Sequence, residues 1–381
     1  MDNLTHSLIG LAAAKAGLEK LSPGTTTLCI LAANAPDSDI VVLLVSGRWA
    51  FLQHHRGITH SIVGTLALAL ALPVIFYLGD RLLARVRRRE PTLKLRGLLI
   101  ASLLVTATHP IMDWTNNYGM RFLLPWSPRW FYGDFVFIID PFIWLVLGGA
   151  AFLLTAKTRK HIFVWVVISL VPSLIVFVGR AGTLTTEMSL RLLWIAALIV
   201  LVTLYRRKIV ARHGPNIAIV ALVLVTTYCA GLAAIHAFAL RQAKFEAANI
   251  ASSNNEQVVK VAAMPTMADP LDWLCVMETD LATYKFNTSL LHRTARPSDV
   301  IRYEKPQGAA AEAVAQAERD GRAEIFLGFA RFPVVRVVGE DCLTQTLVQF
   351  ADLRYTEPGK GRGTFSLDVP VECPLIDNQG R

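Results

Sequence analysis

Between Pro141 and Arg241 the chain carries a single acidic side chain, Glu187. A stretch that long with almost no negative charge cannot cover itself with a water-facing surface. It can satisfy its backbone inside lipid, where a helix bonds every N–H and C=O within the segment. The same pattern extends upstream, giving apolar segments at 4–20, 24–46, 61–80, 97–113, 135–155, 161–179, 188–205 and 216–240. The last six read as full crossings. The first is short for the ~20 residues a crossing takes. The second is interrupted by Asn34, Pro36, Asp37 and Asp39, so a broken or re-entrant helix is expected, with its polar break against protein or a wet cavity. The fold class that follows is an all-α polytopic membrane domain of about seven to eight transmembrane helices over 1–240. After it come a linker at 241–257, rich in Ala, Ser and Asn toward its end, and a small α+β extramembrane domain at 258–381.

Lysine and arginine orient the spans. Alternate connections hold sixteen of them, including Arg81, Arg85, Arg87, Arg88 and Arg89, whereas the intervening set before the tail holds six. The richer set is expected in the cytoplasm of a bacterium, with both termini and the C-terminal domain in the periplasm. The acidic start Met1-Asp2-Asn3 is unlike a secretory leader, so an uncleaved multi-pass protein of the inner membrane is expected. The net charge of +9 then belongs to loops facing anionic lipid. No aromatic-interleaved basic groove accompanies it, and no nucleic-acid partner is expected.

Against this apolar background the ionisable residues stand out, because such groups at membrane depth are costly and are kept for function. They fall in four clusters: Thr5-His6; Pro36-Asp37-Ser38-Asp39; His54-His55-Arg56-Gly57-Ile58-Thr59-His60-Ser61; and His109-Pro110-Ile111-Met112-Asp113. The assigned orientation puts all four at the outer face. His6 opens the first segment there. Asp37 follows the Ser22-Pro23-Gly24 turn by about 13 residues, or ~20 Å of helical rise. The 54–60 run precedes the third segment, and His109 and Asp113 close the fourth.

Imidazoles with carboxylates are the donor set of zinc and similar divalent metals. His109 and Asp113 are spaced to share a helix face, although Pro110 removes a backbone donor between them and leaves the local geometry open. Asp37 and Asp39 point apart on any regular element. They would bridge two ions, or one would bind and the other would orient a histidine from behind. Arg56 suits an anionic substrate through its planar fork, and Asp39 is the candidate general base. His161, His213, His236 and His292 stand alone and read as structural or interfacial. There is no His-Glu-x-x-His helix, no phosphate loop of the Gly-x4-Gly-Lys type and no Gly-x-Ser-x-Gly elbow.

The clusters, together with Tyr118-Gly119 and Asp140-Pro141, give residues 1–145 a pattern that resembles the bacterial YdjM-like inner-membrane family, regarded as metal-dependent hydrolases. The resemblance implies a membrane hydrolase with His6, Asp37, His55, His60, His109 and Asp113 as metal ligands. The reading is a divalent-metal hydrolase, with zinc or manganese as cofactor, working at the outer membrane face on a phosphoester or lipid-linked substrate. Its partners would be the lipid bilayer and that small-molecule or lipid-linked substrate. An ion- or proton-coupled carrier could use the same Asp/His set, but the halves show no convincing internal repeat. A non-catalytic envelope scaffold is the other alternative.

In the tail, Thr346–Tyr355 and Gly363–Val369 alternate as strands do, and Gln307–Arg319 reads as a helix behind Pro306. Cys29 and Cys229 lie in apolar segments as packing residues. An oxidising compartment would permit one disulfide among Cys275, Cys342 and Cys373.

Overall fold

The computed structural model describes residues 1–178, 184–267, 269–290, 300–339, 345–361 and 363–372. His292, Cys342 and Cys373 lie outside them, and Cys275 is buried. The chain forms two compact units. One comprises Met1–Asp39, Arg56–Ala237 and Pro265–Asp272; the other comprises Ile40–His55, Phe238–Met264 and Trp273–Arg381.

The first unit is helical. It contains α1 (Asn3–Lys15), α2 (Thr25–Asn34), α4 (Ile62–Val86), α5 (Leu95–Trp114), α6 (Pro141–Thr155), α7 (Arg159–Val178), α8 (Leu184–Arg206) and the first part of α9 (Val210–Ser253). Helix α1 packs on α2, α5 and α6, and α5 also packs on α2 and α4. The α1–α2 contact is close because Gly10 has no side chain: a Cβ there would fall 2.5 Å from the Cys29 carbonyl oxygen. Leu66 and Leu70 on α4, Leu170 and Leu174 on α7, and Leu193 and Ile199 on α8 are all exposed. Faces that apolar are stable against lipid hydrocarbon rather than water.

Among the described residues, six helices are long and apolar enough to cross a membrane, against the seven to eight expected from sequence. The shortfall is physical. α1 has 13 residues and α6 has 15, only ~20 and ~22 Å of rise. One of the six, Thr25–His54, is broken as expected, by a short 3-10 turn at Ala35–Asp39. Its second half, α3 (Ile40–His54), belongs to the second unit and is itself interrupted at Gly47, where φ is 79°.

In the second unit the strands are β1 (Val258–Thr266), β2 (Asp269–Thr279), β3 (Ala282–Ser289), β4 (Ile301–Glu304), β5 (Pro333–Val338), β6 (Gln345–Asp352) and β7 (Ser366–Glu372). They form one sheet in the order β1-β2-β3-β4 and another in the order β5-β6-β7. The pairs β3–β4, β5–β6 and β6–β7 are antiparallel. Helices α10 (Ala309–Ala317) and α11 (Gly321–Phe329) cover the second sheet, with Phe326 packed among Val348, Phe350 and Val369. Trp49 of α3 packs against the same core. Residues 241–253, read as linker from composition, continue α9 as regular helix.

Candidate metal centre

His6, Asp37, Asp39, Arg56, His60, His109 and Asp113 all belong to the helical unit. Each is carried by a segment with a local reason to be where it is. Helix α5 runs through Pro110 without breaking, so His109 and Asp113 do share its buried face. His60 sits in a 3-10 turn at Ile58–His60 that lies directly on the start of α4. The Ser61 hydroxyl fixes that junction, donating to the Ile58 carbonyl at 2.8 Å and accepting from the Gly64 N–H at 3.1 Å. Gly64 is required there, because a Cβ would stand 1.7 Å from the Ile58 oxygen.

Four donor atoms converge, one each from Asp37, His60, His109 and Asp113, all within 4.8 Å of one another. His109 places Nδ1 2.6 Å from the Ala33 carbonyl, which can only accept. Nδ1 therefore carries a proton, and in the neutral form of the ring the Nε2 lone pair turns inward. The Nδ1 of His60 faces the Thr59 hydroxyl at 3.0 Å and Asp39 Oδ2 at 3.4 Å, so its Nε2 is likewise turned inward. The two Nε2 atoms meet at 3.1 Å. Facing lone pairs need positive charge between them, either a proton on one ring or a cation held by both. Burial, the largest influence on His60, holds its imidazole below the ordinary value and favours the neutral ring.

The carboxylates complete the set. Asp37 Oδ1 is 3.2 Å from His60 Nε2 and 3.6 Å from His109 Nε2. Asp113 Oδ2 is 3.4 Å from His109 Nε2 and 3.6 Å from His60 Nε2. An ion with four arms of ~2.1 Å in a tetrahedron spaces its ligands ~3.4 Å apart. The observed edges bracket that value, so the buried Asp/His cluster has the donors and spacing to bind a metal ion.

The surrounding groups hold these four. Asp39 lies on the opposite side of the His60 ring from Asp37, and its Oδ2 also accepts from the Arg56 N–H at 3.2 Å and faces the Thr59 hydroxyl at 3.4 Å. Asp37 thus faces the inward nitrogen of His60 and Asp39 the outward one, a placement that suits orienting the ring. Arg56, only 2% exposed, is committed within the protein. Its Nη2 donates to Asp113 Oδ1 at 3.1 Å, and its Nη1 donates to Asn116 Oδ1 at 2.9 Å and to the Asp113 carbonyl at 3.1 Å. Its guanidinium also lies 4.6 Å from the Tyr118 ring centre. This geometry braces Asp113 and differs from the expected grip on a substrate. His6 stacks on His109 with ring centres 3.8 Å apart and places Nε2 3.3 Å from Asp113 Oδ1. The α-amino group of Met1 lies against the same oxygen. His55, expected as a ligand, falls in the second unit with its ring stacked on Phe51 at 4.5 Å.

Sequence reasoning missed Asn116 and the Ala33 carbonyl. Asn116 had a signal, since it is a polar residue just past the end of a span and three after Asp113. A backbone carbonyl has none.

One relative, 28% identical over 155 residues or 38% of this chain, is the uncharacterised protein YfhP of Bacillus subtilis. The match spans 43% of that relative's length. No solved structure matches the chain. Residues 1–183 match the family model of the YdjM inner membrane protein, and with its six apolar helices of crossing length this is a multi-pass inner-membrane protein.

Proposed function

We propose that the chain is a membrane-embedded, metal-dependent hydrolase acting at the periplasmic face of the inner membrane on a phosphoester or lipid-linked substrate. The observation that carries this reading is the pair of inward Nε2 atoms 3.1 Å apart, closed by two carboxylates. Asp37, His60, His109 and Asp113 would hold the ion, and His55, whose ring stacks on Phe51, is not one of these four. Two imidazoles with two carboxylates suit zinc best, with manganese as the alternative. When bound, such an ion lowers the pKa of water and polarises the scissile group.

The remaining chemistry belongs to the chain. The Ala33 carbonyl keeps a proton on His109 Nδ1, while Thr59 and Asp39 do the same for His60. Arg56 holds Asp113 in register through Oδ1, and the ring of His6 lies against that same oxygen. Asp39, expected as general base, lies against the outward nitrogen of His60, a position suited to orienting that ring. Asp37 is the most open of the four, with 15% of its side chain exposed. Water and substrate therefore approach past it. The periplasmic placement of the C-terminal domain follows from the lysine and arginine distribution.

The test is the metal content of purified full-length protein beside His60→Ala and His109→Ala. A stoichiometric divalent ion in the wild type, lost in both variants, is expected. An ion that is absent, or unchanged in both variants, sinks the reading. A panel of phosphoesters, glycerolipids and peptides then tests hydrolysis itself.

A further inference from the structure

The helical unit contains an apolar groove between α1, α6, α7 and α8, lined by none of the four converging donors. Its wall on α6 is formed by Trp144, Gly148 and Phe152, a spacing that keeps to one helix face over ~12 Å. Trp165, Ser169 and Pro172 repeat the arrangement on α7. The groove therefore runs along the helix axes, the direction lipid chains take beside spans such as α7 and α8. At its waist, a Cβ on Gly148 would meet nothing within 4 Å.

The polar groups on this wall are already bonded. Trp144 Nε1 donates to the Thr5 hydroxyl at 2.9 Å and to the Asp2 carboxylate. Trp165 Nε1 donates to the Thr155 hydroxyl at 2.9 Å, Trp194 Nε1 to the Ser173 hydroxyl at 3.2 Å, and the Ser169 hydroxyl to the Val166 carbonyl at 2.7 Å. A guest would find apolar and aromatic contact and no free donor, which selects a plain hydrocarbon.

The Trp144 end is tied to the first turn of α1. Leu4 and Leu8 of that helix line the groove, while His6 between them stacks on His109. Groove and metal cluster are thus two faces of one helix. We propose that the groove binds one acyl chain of a membrane phospholipid, and that this lipid is the substrate whose headgroup reaches the cluster around the start of α1. The second half of this statement rests on the hydrolase reading above; the first half does not.

Full-length protein in phosphatidylethanolamine vesicles containing phosphatidylglycerol with a mid-chain diazirine provides the test. Photolysis is expected to label peptides covering Trp144–Phe152 and Trp165–Pro172. Gly148→Leu should reduce that labelling about tenfold, equivalent to ~1.4 kcal/mol, with Gly148→Ala intermediate and metal content unchanged in both. Labelling spread evenly over the exposed faces of α4, α7 and α8, and unaffected by Gly148→Leu, would show ordinary boundary lipid and overturn the site. Specific labelling in a protein without metal would keep the groove and remove the hydrolase. Metal present, groove labelled and phosphatidylglycerol never cleaved would remove the substrate assignment alone.

Discussion

Replacing Asp39 by asparagine separates a carboxylate that orients from one that binds. Asp37 Oδ1 lies 3.2 Å from the inward nitrogen of His60, whereas Asp39 Oδ2 lies 3.4 Å from the outward one. A carboxylate behind a liganding histidine fixes its tautomer and raises its basicity, and losing one usually weakens metal affinity 10–100-fold. That range is ~1.4–2.7 kcal/mol. Asparagine keeps an oxygen for the Arg56 N–H and the Thr59 hydroxyl, so the turn should survive and only the negative charge is lost. The expected effect is therefore near the lower bound, about tenfold. Asp37→Asn removes charge from the donor set itself and should cost distinctly more. The assay is competition between the full-length protein and a zinc-sensitive chelator at fixed pH. Equal losses in Asp39→Asn and Asp37→Asn would make both of them ligands. No loss in Asp39→Asn would mean that it does not orient His60, and either result refutes the assignment.

Arg56→Met should lower stability by ~3–5 kcal/mol, because it strands the buried Asp113 charge; a thermal midpoint within a degree or two of wild type would contradict the bracing role. Gly64→Ala should release the metal without touching a ligand, since its Cβ would collide with the Ile58 carbonyl and push the His60 turn off α4; undiminished affinity by the same chelator competition would show that the turn can move harmlessly. In the C-terminal domain, hydrogen bonds from Lys360 and then Lys285 pull the Glu357 carboxyl from 4.5 down to about 2. Its stabilisation is thus complete above the unfolded value and disappears as pH falls from there toward about 2. Lys360 is 75% exposed, so the whole effect should stay below ~1 kcal/mol. Wild type and Glu357→Gln should differ in unfolding midpoint at neutral pH and converge in acid; a gap that widens in acid would reverse the sign of the argument.

The site was legible because each of its residues is expensive where it sits. An imidazole or carboxylate within an apolar run announces itself, and orientation by lysine and arginine placed four distant clusters at one level. What the runs could not disclose was pairing. Asp37 and Asp39 are two apart on a 3-10 turn of three residues per turn, so they face different ways and clasp opposite sides of one imidazole. From sequence that arrangement and a shared-ion arrangement look alike. The 54–60 run offered three histidines, and only His60 is carried onto α4. The chain turns at Arg56, whose φ is 51°, a left-handed conformation that a non-glycine residue rarely adopts. Residues 241–253 continue α9 as helix because they are rich in alanine, the strongest helix former, and that preference outweighed their polar character.

Charge explains why so many costly groups occur together. With neutral imidazoles, the cluster holds three carboxylates, Asp37, Asp39 and Asp113, against the single guanidinium of Arg56, leaving two negative charges uncompensated among side chains that are nearly all buried. An unbalanced pair of charges at membrane depth is not sustainable. The α-amino group of Met1 could supply one positive charge, and a proton on His109 could supply one. Only a divalent ion supplies both while leaving both rings neutral, and the inward Nε2 atoms 3.1 Å apart need a proton or a cation between them, where the carboxylates also point. Replacing both Asp37 and Asp113 by asparagine should therefore abolish metal binding rather than weaken it by the sum of two small steps, since the attraction that offsets the ion's dehydration would vanish with them.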